Sequence, residues 1–191
     1  MSYKPLEYLK QFEYLGKRLL DNGTLLIGKA PHIAPQAWLH SIHSPLTNLQ
    51  IKELEEKMQT AIPDDYKDFL KITNGLKVFN TTFTLDGLRK NFKRGIGDVW
   101  QPFNIITPNT LERPKNAGKK FFFIGGYDWD GSLLYIDSAT NHVHLCERED
   151  ATSLYDWKNF EQMLESEINR LVKLFDKEGK ELNPDESTLP V

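Results

Sequence analysis

The chain has 191 residues, 39% of them hydrophobic, with 11 Phe, 7 Tyr and 4 Trp. That is enough for one well-filled core, with or without an extension, and no apolar run is long enough to span a membrane. The net charge of −3 gives no global case for nucleic-acid binding, and one cysteine, Cys146, excludes an internal disulfide, so a reducing cytoplasm is the expected setting.

In chain order, the first predicted element is a helix from about Leu6 to Leu20. Leu6, Leu9, Phe12, Leu15 and Leu19 recur at three- and four-residue steps, and Asn22-Gly23 reads as its stop. Its acidic residues, and the absence of an apolar signal core, argue against a secretory leader. Residues 28–48, punctuated by Pro31, Pro35 and Pro45, read as an irregular connection. Thr47-x-x-Gln50 then fits a capping box, with Leu46 as a staple and Ile51, Leu54 and Met58 on one face. Pro63 opens a second short helix, Asp64 and Asp65 suit its positive end, and Asn74-Gly75 ends it.

Short β-prone runs follow: Phe83–Leu85, Ile105-Ile106, Phe121–Ile124, Leu133–Ile136 and Val143–Leu145. A last helix, capped by Ser153-x-x-Asp156, carries Trp157, Phe160, Leu164, Ile168, Leu171 and Phe175 on one stripe. Helices first, strands in the middle and a helix last predict an α+β fold. Its central, mostly antiparallel or mixed sheet is packed by N-terminal helices and a long C-terminal helix. The expected division is a helix and irregular extension over 1–45, the α+β domain over 46–176, and a frayed polar tail over 177–191.

Charge is unevenly spread. Between Asp86 and Lys120 stand eight basic residues (Arg89, Lys90, Lys93, Arg94, Arg113, Lys115, Lys119, Lys120) against three acidic. Between Ile124 and Asp156 stand seven acidic residues (Asp128, Asp130, Asp137, Glu147, Glu149, Asp150, Asp156) against Arg148 alone. Such a swing either steers a charged partner or is ordinary surface solvation.

The stretch FFFIGGYDWDGSLLYID, residues 121–137, combines glycines, acids and aromatics. A phosphate loop needs a helix after its glycines, and here a strand follows. A calcium loop needs a third ligand position and a distal Glu, and both are missing after Asp128-x-Asp130-Gly131. His142, His144 and Cys146 alternate along one strand, but three ligands in a line spread over about 13 Å at roughly 3.3 Å per residue, far from tetrahedral geometry. The residues thus call for no metal and no cofactor. Asp128 and Asp130 are a weak pair for acid–base work, and no nucleophile elbow or HExxH motif is present.

The segment LTNLQIKELEEKMQTAIPDDYKDFLKITNG resembles the opening of a SUKH-superfamily domain, the group that includes the fungal Smi/Knr cell-wall regulators. The matching residues are Glu53, Leu54, Pro63, Tyr66, Phe69, Leu70, Asn74 and Gly75. The stretch 121–137 looks like the family's second signature, with Gly125, Gly126, Gly131 and Asp137, and the closing helix also fits. The resemblance covers about residues 46–175. It implies an α+β domain without enzymatic chemistry, and many bacterial members look like immunity proteins that neutralise toxins, often nucleases. Others are regulatory interaction modules.

The expected partner is therefore a protein, with no nucleic acid and no membrane. The candidate partner-binding residues are Tyr127, Asp128, Trp129, Asp130, Glu147, Glu149 and Asp150. Tyr127 and Trp129 are aromatics of the kind that anchor interfaces. For Trp129 the alternative is a ring folded onto the protein's own sheet.

Overall fold

The computed structural model describes residues 4–93 and 99–191. Arg94 and Asp98, part of the basic stretch above, lie outside the described residues.

The N-terminal segment departs from the predicted long helix. A short helix α1 (Lys4–Glu7) runs into a 3-10 segment, Tyr8–Leu15, which buries Leu9 and Phe12. Gly16 (φ 128) ends it, and β1 (Lys17–Leu19) follows, paired antiparallel with β2 (Leu25–Lys29). Asn22-Gly23 is thus the turn of a hairpin rather than a helix stop, with Gly23 at φ 80. The stretch expected to be irregular holds the last two residues of β2 and all of β3 (Trp38–Ile42), and Pro31 and Pro35 sit in the loop between them.

The capped helix forms as its sequence dictates. In α2 (Asn48–Met58) the Gln50 N–H donates to the Thr47 hydroxyl at 3.3 Å, and the Thr47 N–H donates to Gln50 Oε1 at 3.0 Å. Helix α3 (Asp64–Leu70) starts after Pro63 and buries Tyr66, Phe69 and Leu70. Asn74 then receives the Leu88 N–H at 2.6 Å and donates to the Leu88 carbonyl at 2.9 Å, tying the end of this unit to the chain beyond the next hairpin.

Six more strands complete the sheet: β4 (Leu76–Val78), β5 (Phe83–Leu85), β6 (Phe121–Tyr127), β7 (Leu133–Asp137), β8 (Val143–Cys146) and β9 (Tyr155–Trp157). The nine strands lie side by side in sequence order, every pair antiparallel, so the fold is α+β with a meander at its centre. The only parallel feature among the described residues is an isolated bridge, Gly87 to Asn104. Ile105-Ile106, predicted as strand, instead opens a short helix α4 (Ile106–Thr110). The last helix, α5 (Phe160–Leu174), is capped by Asn159, whose side chain accepts the Gln162 N–H at 2.8 Å. Ser153 and Asp156 precede it, because residues 155–157 are taken up by β9.

One face of the sheet carries the main core. Helices α2, α3 and α5 cover Leu76, Leu85, Phe122, Ile124, Leu134, Ile136, Val143 and Leu145. The other face holds a small second cluster of Phe123, Tyr135, Cys146 and Ala151. Residues 177–191, expected to fray, pack down: Phe175 stacks on Phe79 at 3.8 Å, Glu181 bridges to Phe175, and the Thr188 carbonyl accepts from Arg170 at 2.6 Å.

Candidate functional site

The acidic, aromatic stretch spans the end of β6, a turn, and the start of β7. Two glycines are required there by close approach. A Cβ on Gly125 (φ 149) would lie 2.0 Å from the Thr84 carbonyl oxygen, and one on Gly126 would lie 2.0 Å from that of Ser132. A register shift between Phe123 and Gly125 inserts one extra residue into β6. That bulge reverses the inside–outside alternation beyond it, so Tyr127 turns inward.

Tyr127 is therefore no interface anchor. It is 4% exposed, packs on Phe83, and donates its hydroxyl to Glu167 on α5 at 2.6 Å. Glu167 is itself buried and held by Arg170 at 2.6 Å. Burial beside Glu167 pushes the phenol well above its ordinary range. Residues 128–130, by contrast, stand in solvent. Trp129 is 44% exposed, which decides against a ring folded fully onto the sheet. Asp128 accepts from the Thr81 hydroxyl at 2.7 Å, and Asp130 accepts the Ser132 N–H at 2.8 Å, so both carboxylates are fixed in direction.

The loop after β8 lies against this turn, since Leu133 pairs with Cys146 and the Arg148 side chain sits 3.6 Å from where a Gly131 Cβ would be. Glu147, Glu149 and Asp150 are exposed there. Hydrogen bonds from the Thr152 side chain and N–H (the latter at 2.7 Å), and then from Asn116 Nδ2 at 2.7 Å, keep the Asp150 carboxyl below the usual range. Arg148 reaches Glu112 at 3.8 Å and Glu149 at 3.9 Å. This end of the sheet thus carries Asp128, Asp130, Glu147, Glu149 and Asp150, and Arg148 pairs there with Glu112 and Glu149.

This rim opens onto a groove of about 490 Å³ on the outer face of the sheet. Its floor is Thr84, Gly125, Gly126 and Leu133; its far wall is Phe103, Asn104, Thr107 and Pro108. Asn109 builds that wall, because its amide pairs with both the N–H and the carbonyl of Phe123, at 2.9 and 2.7 Å, and pins α4 onto β6. Asp86 lines the groove at the end of β5 and is 7% exposed. Burial pushes its carboxyl up to about 7, against a weaker opposing pull from Lys77.

A sequence profile decides the relationship: that of the SMI1 / KNR4 family (SUKH-1) matches residues 45–166. The chain belongs to that family. A search among curated proteins found no match. The SMI1 / KNR4 match takes in α2, α3, β4 to β9 and the first part of α5, and leaves out β1 to β3. Most of the signature residues within it are structural. Tyr66 is fully buried, donates to the Asp86 carbonyl at 2.6 Å, and lies 3.1 Å from that of Ile124. Leu54, Phe69 and Leu70 fill the core, and Asp137 closes the turn after β7 by accepting the Ala139 N–H at 2.9 Å. Glu53 is exposed on α2.

His142 immediately precedes β8 and His144 lies on its outer face, with Nδ1 of His142 3.0 Å from Asp156 and Nδ1 of His144 2.9 Å from Ser153 Oγ. Burial pushes the Cys146 thiol up to about 12. Among the described residues, no three His, Cys, Asp or Glu side chains converge to hold a metal. No helix of the described residues is long and apolar enough to cross a membrane. Sequence reasoning missed Asp86, Asn104 and Asn109. Asp86 had one signal, an acid placed directly after the apolar run Phe83–Leu85.

Proposed function

We propose that this is an immunity-type protein of the cytoplasm, which binds a cognate toxin through the acidic rim and blocks it without chemistry of its own. The observation that carries this is the rim itself: exposed carboxylates of the β6–β7 turn and of the loop after β8 at one end of the sheet, with the exposed Trp129 among them. A nuclease holds its substrate's phosphates in a cationic groove. Carboxylates fixed by the Thr81, Ser132, Asn116 and Thr152 contacts present a comparable row of charge at little ordering cost. Trp129 supplies the apolar contact that such an interface needs at its centre. Membership of the SMI1 / KNR4 family supports a protein-binding role.

The test is co-expression with the toxin candidate encoded beside the chain, scored by cell survival and by pull-down. Protection that is lost in the double variant Asp128→Lys, Asp130→Lys, while its thermal unfolding is unchanged, supports the reading. A wild-type protein that neither binds nor protects sinks it for that pair. Undiminished protection by the double variant moves the interface off the rim.

A further inference from the structure

The unmet polar groups of the groove are of one kind. No hydrogen bond or ion pair within 4 Å reaches the Asp86 carboxylate from any described residue. Asn104 Oδ1 is buried without a partner, and so is Ser132 Oγ. The first two can only accept at those oxygens, and the third can do so. The cations nearby make no bond to Asp86, and Lys77 acts on it only through space. Lys77 rests its ammonium 4.4 Å from the centre of the Phe103 ring, and Arg148 lies out at the rim with Glu112 and Glu149.

Cross-strand register adds the shape. Lys77, Thr84, Gly126 and Leu133 are successive partners on the outer face, so the floor is bare of side chain at Gly126. A buried carboxylate that no cation bonds directly costs free energy, and its raised pKa reports that burial outweighs the through-space pull of Lys77. An arriving cation recovers that cost.

We infer that the groove between α4 and strands β5 to β7 receives the guanidinium of an arginine from the partner protein, with Asp86 as its counter-ion and Asn104 Oδ1 as a second acceptor. This rests on the reading that the rim meets a protein partner. It adds that one basic side chain crosses the rim and enters the fold. A guanidinium suits the site because it spreads five donors in one plane over several acceptors. An anion would face Asp86 and Glu112, and a neutral apolar side chain would leave all three acceptors unmet.

The probe is Nα-acetyl-arginine amide, titrated into the 15N-labelled full chain, with the neutral, near-isosteric citrulline analogue as control. The expected result is saturable shifts at Gly125, Gly126, Leu133 and the Asn104 side-chain amide, with citrulline at least tenfold weaker. Asp86→Asn should lose the arginine response at least tenfold. Equal responses to arginine and citrulline overturn the inference without recourse to any variant. So do shifts confined to Glu147 and Glu149 that survive Asp86→Asn, and so does tighter binding of the lysine analogue.

The toxin pull-down separates the two levels. If the arginine probe binds at Asp86 and the neighbouring toxin does not bind, the toxin reading fails and the cation site stands. If the toxin binds wild type and Asp86→Asn alike and the probe ignores the groove, the cation site fails and the toxin reading stands.

Discussion

Two neighbouring rows of residues cross the sheet one register step apart and face opposite sides. The inner row runs Ile42, Leu76, Leu85, Gly125, Leu134, Leu145. The outer row runs Ser41, Lys77, Thr84, Gly126, Leu133, Cys146. Five of the six inner residues are large and apolar; Leu76, Leu85, Leu134 and Leu145 are buried in the main core and Ile42 packs against it half-buried. The outer row is mixed, and only its β6–β8 end and flanks are covered, by the α4 region and by the Phe123–Tyr135 cluster. The same backbone therefore supplies a core on one side and a partly walled polar groove on the other. Stability is concentrated on the first face, and the proposed recognition falls to the second.

The largest effect should come from the inner face. Phe122→Ala removes a fully buried ring packed beneath Tyr66 of the helix layer and should cost about 3–5 kcal/mol in urea denaturation. Leu133→Ala, one residue type changed on the outer face, should cost less than half of that. Equal costs would break the contrast.

The next effect comes from the one acid that the outer face buries. Asp86 has its folded pKa raised, so its contribution is fully present below the unfolded value of 3.8 and is lost as pH rises through about 7. Asp86→Asn should therefore stabilise at pH 8 by about 2–3 kcal/mol. That is the pKa shift converted at about 1.4 kcal/mol per unit, less the cost of burying an amide. Near pH 3.5 it should gain nothing. His40 and His43 are pushed down to about 3 by burial, which gives the opposite sign: their contribution is lost as pH falls from 6.5 toward 3. Between pH 3.8 and 6.5 two histidines oppose one aspartate, so wild-type stability from these groups should peak near pH 6.5. Thermal unfolding across pH 3.5 to 8 checks both slopes.

Tyr127→Phe cuts the link from the turn to α5 and should cost about 1–2 kcal/mol, because buried Glu167 then keeps Arg170 alone. The smallest stability effect belongs to the rim. Trp129→Ala should shift unfolding by less than about 0.5 kcal/mol while weakening partner binding at least tenfold. A large loss of stability there would return Trp129 to the core.

Legibility in the sequence followed the range of the forces involved. The α2 cap, the α3 start and strands β5 to β8 are written in local pattern, and they form as the pattern says. The N-terminal strands were hidden because Asn22-Gly23 serves a helix end and a hairpin equally well. Only the pairing of Leu19 with Leu25 decides between them. Tyr127 was misplaced for a similar reason. Strict alternation from Phe122 and Ile124 puts it outside, and one inserted residue, which only register with β7 reveals, puts it inside. At the rim, charge marks Asp128, Asp130 and residues 147–150 as exposed, whereas Trp129 reads equally as surface or as core. Their meeting at one end of the sheet needed the pairing of β7 with β8. The groove was not legible at all, since its wall comes from Asn104 and Asn109 in a segment with no periodic signal.

The three strands that precede the family-matched region have a consequence for how copies of this protein meet one another. In a sheet that began at β4, the backbone of Leu76–Val78 would stand open along one side, a ready template for any extended chain. Here Ser41 and Ile42 of β3 already occupy it. The open border is moved out to β1, which is three residues long, exposed at each of them, and carries Lys17 and Arg18. A border that short and that charged is a poor seed for strand-to-strand growth, so the added hairpin works as a selvedge, keeping the weave from joining to its neighbour.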